Sequence, residues 1–226
     1  MLIQCTASLQ AKIKKYVEIE DLADLRAEDA NIGSIEDFFA WHANLHPFDQ
    51  KHTMYTDSNT IPGFKAIRNS IILTHNVSNA PAVIIAARAA TYKNFVNEVK
   101  HAIRTTMLAY GAAEAFVKQY LDAPIHFAKT GTRQQIGLHN EMAKTMQWVS
   151  PKHVYECRDN MNDLPRVMAM HMFDFILGGK DWHSPGNRMQ EELMRLGGLS
   201  PQAEMLDARL KRERQDALEV HRYEEK

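Results

Sequence analysis

"NSIILTHNVSNAPAVIIAAR" (residues 69–88) decides the fold class. Two apolar, β-branched runs (69–75 and 82–88) flank the polar, Pro-containing connection "NVSNAP". Runs of that length predict strands, and so short a connection predicts an antiparallel hairpin. From Tyr92 the period changes. Phe95, Val96, Val99, Ile103 and Met107 recur at three and four, which predicts an amphipathic helix ending near Gly111. A second helix carries Phe116, Val117, Tyr120 and Leu121 and stops before Pro124. "IHFAK" (125–129) then reads as a strand. A polar loop leads to a helix over 137–148, broken at Ser150-Pro151.

Working outward toward the N-terminus, "LIQC" is a short edge or first strand. Ser8–Val17 predicts a helix with Leu9, Ile13 and Tyr16 on one face. Residues 18–37 form an acidic loop. "DFFAWHANL" (37–45) reads as a strand and "HTMYT" (52–56) as a weaker one, followed by the turn cluster "DSNTIPG". The expected fold class is therefore α+β: a small, mostly antiparallel sheet packed by helices, with a helical C-terminal extension. The expected boundary divides an α+β domain (1–149) from that extension (150–226). The extension holds a Met-rich helix in 164–179 and a short helix in 186–198 closed by Gly-Gly. A charged helix over 200–226 follows, with Ser200 as N-cap and Pro201 in its first turn.

Composition narrows the function classes. The 226 residues are long enough to close a core without disulfides or metals. Net charge is −1, so no global field draws the chain to nucleic acid or membrane. The charge is uneven, however. Residues 1–50 carry 4 Lys/Arg against 9 Asp/Glu, residues 51–150 carry 11 against 5, and residues 151–226 carry 12 against 14. The basic middle block favours an anionic ligand. Cys5 and Cys157 form no disulfide framework and no metal knuckle. No signal peptide and no apolar run of membrane-spanning length is visible, so the expectation is a cytoplasmic protein with no membrane partner.

The candidate chemistry lies in two stretches. In "HFAKTGTRQQIGLHNEM" (126–142) a strand enters a glycine loop and then a helix, whose unpaired N–H groups suit an anion. Lys129 and Arg133 add charge; Thr130, Thr132, Gln134 and Asn140 add hydrogen bonds. The order of residues excludes a Walker loop, because Lys-Thr precedes the glycines. The alternative is a plain polar connection whose Thr and Asn cap the helix. In "WHANLH" (41–46), His42 and His46 share a face, with His52 nearby, but no carboxylate or thiol at ligand spacing completes a metal site. No metal and no cofactor is expected. His42, His126 and His139 supply proton-transfer candidates.

"MLIQCT" (1–6), "WHANL" (41–45) and "FAKTGTRQQIGLHNEM" (127–142) together resemble a small bacterial and archaeal family described only as a domain of unknown function. Its pattern is M-[LI]-I-x-C-T, W-[HY]-A-N-L and F-x-K-T-x-x-R-[SQ]-x-x-G-x-x-N-[DE]-[ML]. The resemblance covers about residues 1–148 and implies an α+β domain with no assigned activity. It singles out Trp41, Asn44, Lys129, Thr130, Arg133, Gly137 and Asn140. Residues 46–68 read as an insertion relative to that pattern, and the tail from Ser150 has no counterpart in it.

Three functions fit these residues. One is binding of an anionic ligand, a nucleotide or nucleic-acid phosphate, through Trp41, Asn44, Lys129, Thr130, Arg133, Gln134 and Asn140. The second is a metal-independent phosphodiesterase or ribonuclease-like toxin with His42 or His139 as base. The third is a protein-interaction or homo-oligomer role for the C-terminal helices, residues 200–226 above all.

Overall fold

A computed structural model describes residues 1–21, 37–47, 69–130, 133–157, 159–173 and 184–203. The expected strand at 52–56, its turn cluster, most of the acidic loop and the helix beyond Ala203 lie outside the described residues, as do Gly131 and Thr132.

The fold is α+β, as the sequence predicts. Five strands form one sheet: β1 (Leu2–Cys5), β2 (Ala40–Pro47), β3 (Asn69–His75), β4 (Pro81–Ile84) and β5 (His126–Lys129), in the order β4-β3-β2-β1-β5. The predicted hairpin is β3–β4, and the longest pairing, β2 with β3, is also antiparallel. β1 is the first strand, as one of the two expected readings had it, but no edge strand: it lies between β2 and β5, parallel to both. All four of its residues are buried, and a strand covered on both faces belongs inside a sheet.

Helices cover both faces. On one side α1 (Ala7–Ile13), α3 (Phe95–Ala109) and α4 (Glu114–Asp122) enclose a core with Ile3, Trp41, Ile71, Leu73 and Phe127. The predicted first helix stops at Ile13, and Tyr16 is exposed rather than part of its apolar face. The short α2 (Ala89–Lys93) precedes α3, which does end beside Gly111 at φ +96°, a conformation glycine adopts without strain. On the other side α5 (Arg133–Glu156) and α6 (Leu164–His171) bury Met142, Met146, Leu164 and Met168 against Ile72 and Val83.

α5 is longer than predicted at both ends. Arg133–Ile136 are helical rather than loop, and the helix continues through Pro151 to Glu156. α6 also touches the first core, where Tyr110 Oη donates to the Ala169 carbonyl at 2.7 Å. The next helix, α7 (Pro185–Arg195), starts on a Ser184 side-chain cap. It closes as predicted on Gly197-Gly198: Gly198 N–H reaches the Leu193 carbonyl and Gly197 N–H the Met194 carbonyl. Ser200 caps the next turn through Ala203 N–H, as expected.

A buried polar node ties β2 to α4. The Trp41 indole N–H donates to Tyr120 Oη at 2.8 Å, and that hydroxyl donates to the Phe38 carbonyl at 2.8 Å. His75 Nε2–H donates to the same carbonyl, while its Nδ1 accepts from Ser78. Every polar atom named in this node has a partner. Replacing Tyr120 with Phe would leave the indole N–H buried without an acceptor. The expected cost is about 1–3 kcal/mol of unfolding free energy, measured by urea titration.

Candidate functional site

The parallel pairing of β1 sets the position of the site. Cys5 is level with Ala43 on one side and Lys129 on the other. Thr6, Asn44 and Thr130 each follow one of these residues, so the chain carries a row of three polar residues across the sheet, just past the ends of β1 and β5 and within β2. The ladder continues into that row: Thr6 N–H donates to the Ala43 carbonyl and Thr130 N–H to the Cys5 carbonyl. Two residues back along β2, on the same face by strand alternation, stands His42, paired with Thr74 of β3. α5 crosses above and lowers Ile136 and His139 onto the row. The result is a narrow crevice of about 10 Å³ lined by Thr6, His42, Ala43, Asn44, Thr130, Ile136 and His139.

Its hydrogen bonding is incomplete. Asn44 Oδ1 accepts from the hydroxyls of Thr6 at 2.7 Å and Ser8 at 3.3 Å, which leaves the amide N–H₂ as its donor end. His139 is 3% exposed, and its Nδ1 meets Thr74 Oγ1 at 2.7 Å. Its Nε2 and the buried Thr130 Oγ1 have no hydrogen-bond partner among the described residues. Buried polar atoms in proteins are rarely left so. His75 provides the contrast. Burial pushes both His75 and His139 down to a pKa of about 4, His42 and His46 adding to the effect on His139. Yet His75 has partners at both ring nitrogens and His139 at one. The first is a structural histidine; the second keeps a bonding position open toward a crevice.

Four residues expected from the sequence meet here: His42, Asn44, Thr130 and His139. Other expected residues do not line the crevice. Trp41 points to the opposite face of the sheet, fully buried beside Tyr120, because adjacent residues of a strand face opposite ways. Lys129 is exposed and alternates to that same far face, and Asn140 is on the exposed side of α5. Arg133 and Gln134 open α5, so their backbone is at the helix start; their side chains lie outside the described residues. His126 is at the other end of β5, 3.1 Å from Glu20. His52 lies outside the described residues. No three His, Cys, Asp or Glu side chains converge as metal ligands among the described residues. Both cysteines are buried and free, and burial raises the Cys5 thiol to about 12, which leaves it inert.

Sequence reasoning missed Thr6, Thr74 and Ile136. Thr6 closes the "MLIQCT" motif, so a signal was present. Thr74 is one polar residue in an apolar run, and only the β2–β3 register reveals its partner. Gly137, singled out by the motif, is exposed and helical, and a Cβ there would meet nothing within 4 Å. The fold does not require a glycine at this position.

Two outcomes are expected. Gly137→Ala should raise stability by about 0.5–1 kcal/mol in chemical denaturation, as removal of an unneeded helical glycine does. Stability should also depend on pH. Below 6.5 the unfolded chain protonates His75 and His139, whereas the folded chain resists until about pH 4. This contribution is complete above pH 6.5 and is lost as pH falls through that window, at about 1.4 kcal/mol per pH unit for each histidine. Urea titrations between pH 7 and 4.5 should show a slope that His139→Gln roughly halves.

Among the described residues no helix is long and apolar enough to cross a membrane. No curated protein and no solved structure matches the chain. A family model does, over residues 65–188, which is more than half of the sequence. The matched span holds Thr74, Thr130, Ile136 and His139, whereas Thr6, His42 and Asn44 precede it. The chain belongs to the family described as domain of unknown function DUF6933.

Proposed function

We propose that the chain binds an anionic ligand, the phosphate group of a nucleotide or nucleic acid, in the crevice between the strand ends and the start of α5. One observation carries this reading: His139 Nε2 and Thr130 Oγ1 are buried on the lining of one crevice with no hydrogen-bond partner among the described residues. Three features support an anion as the missing partner. The Asn44 amide presents its donor end, and the Thr130 hydroxyl has a proton to give. The first turn of a 24-residue helix adds free N–H groups and the positive end of its dipole. The basic 51–150 block supplies a long-range field of the same sign. The size also matters. The space is small, about 10 Å³ or room for one water, so the crevice would meet a single oxygen of the phosphate group and the rest of the ligand would lie outside.

A second reading rests on His42, which lines the same crevice as His139. Here His42 takes the proton of an attacking hydroxyl, whose oxygen bonds to phosphorus. The bond to the leaving oxygen breaks and the proton passes to that oxygen, while His139 and Thr130 hydrogen-bond the phosphoryl oxygens. Loss of RNA or nucleotide hydrolysis in His42→Ala, with binding retained, would favour this reading over binding alone.

The binding reading is tested by calorimetry at low ionic strength with methyl phosphate, sulfate and a short RNA. Wild type should bind, and Thr130→Val should bind about tenfold more weakly, as loss of one hydrogen bond to a charged partner implies. Lys129→Ala, off the lining, should change the salt dependence more than the low-salt affinity. Absence of binding by all three ligands to wild type would overturn the reading.

A further inference from the structure

His139 can present either a proton or a lone pair to the crevice, and a residue outside the lining decides which. In a neutral imidazole one nitrogen carries hydrogen and the other accepts, so the partner of Nδ1 determines what Nε2 offers. That partner is Thr74 Oγ1 at 2.7 Å, on β3, buried beneath the helix. Thr74 has one hydroxyl proton and two acceptors within reach, Nδ1 at 2.7 Å and Met142 Sδ at 3.8 Å. A thioether is the weaker acceptor.

We infer that Thr74 donates to Nδ1 of His139, holds the ring as its Nε2–H tautomer, and thereby makes the crevice a donor site for oxyanions rather than a lone-pair site for cations. Thr74 is a positioning residue: it acts on the ligand only through His139. Burial keeps the ring neutral at physiological pH, so the tautomer alone sets its behaviour. The Asn44 amide works the same way. Thr6 and Ser8 occupy its oxygen and leave its N–H₂ to the crevice. Three hydroxyl side chains, Thr74 on β3, Thr6 at the N-cap of α1 and Ser8 in its first turn, thus orient two ambidentate groups in one sense. The ligand class selected is an oxyanion with unprotonated oxygens toward His139 and Asn44, such as a phosphate ester.

The inference takes its ligand from the anion reading, but the tautomer belongs to the chain alone, and the two fail separately. Nitrogen-15 spectra of the histidine rings at pH 7 would be recorded for the full chain as wild type, Thr74→Ser and Thr74→Val. Methyl phosphate and Zn²⁺ would be titrated into each. Wild type and Thr74→Ser should carry the His139 proton on Nε2. Thr74→Val should show a mixture of tautomers and bind methyl phosphate about tenfold more weakly, with Thr74→Ser within about twofold of wild type. A proton on Nδ1 in wild type overturns the inference, as does an unchanged tautomer in Thr74→Val or tighter binding of Zn²⁺ than of methyl phosphate by wild type. An Nε2–H ring that shifts in Thr74→Val while no variant binds methyl phosphate upholds the role of Thr74 and removes the anion reading instead. Should Thr74→Val fail to fold, the wild-type spectrum still decides where the proton lies.

Discussion

The crevice depends on one constraint, the parallel insertion of β1 between β2 and β5. Parallel neighbours end on the same side of a sheet. Thr6 and Thr130 follow the last residues of β1 and β5, and the register sets them level with Asn44 within β2, so the three stand in a row. Antiparallel pairing of β1 would scatter them to opposite edges. Parallel connections also require crossovers, and the crossovers carry helices over the faces. α5 follows β5 directly and brings its first turns, with Ile136 and His139, back above that row. Open sheets with parallel strands commonly bind ligands beyond their carboxyl ends for this geometric reason.

The two faces of the sheet treat polar groups differently. On the Trp41 face, the indole, the Tyr120 hydroxyl, the Phe38 carbonyl and His75 satisfy one another within the core. That network stabilises and makes no demand on a ligand. On the α5 face, Met142, Met146 and Ile72 give a dry core that ends where the polar row begins. Between them the Thr74–His139 bond forms one side of a hydrogen-bonding relay whose other side opens into the crevice. Equal burial and equal neutrality of His75 and His139 therefore have opposite meanings, and the partners of each ring make the difference.

Much of the fold was legible because it rests on local periodicity. The β3–β4 hairpin, the amphipathic α3 ending at Gly111, the halt of α4 before Pro124, and the Gly-Gly close of α7 all follow from residue order and turn chemistry. The misreadings also have local causes. "LIQC" is apolar at all but Gln4, a pattern shared by short edge strands and buried central ones. The first turn of α5 is polar and follows a glycine, so Arg133–Ile136 read as loop, and Ser150-Pro151 signalled an end that the packed helix overrides. For the site, His42, Asn44, Thr130 and His139 were nameable as polar residues in informative stretches. Trp41 and Lys129 were drawn in as their sequence neighbours and fall on the far face by alternation.

The sequence by itself determined that the class is α+β and where most of the strands and helices of the described residues lie, because these follow from side-chain pattern within a few residues. Only the tertiary structure decided that residues 6, 42, 44, 130, 136 and 139 share one crevice and that Thr74 stands behind it. Strand order and register are set by pairings between residues as much as 124 positions apart, such as Leu2 with His126. No local periodicity encodes such a pairing. It arises from the collective burial of both faces of β1.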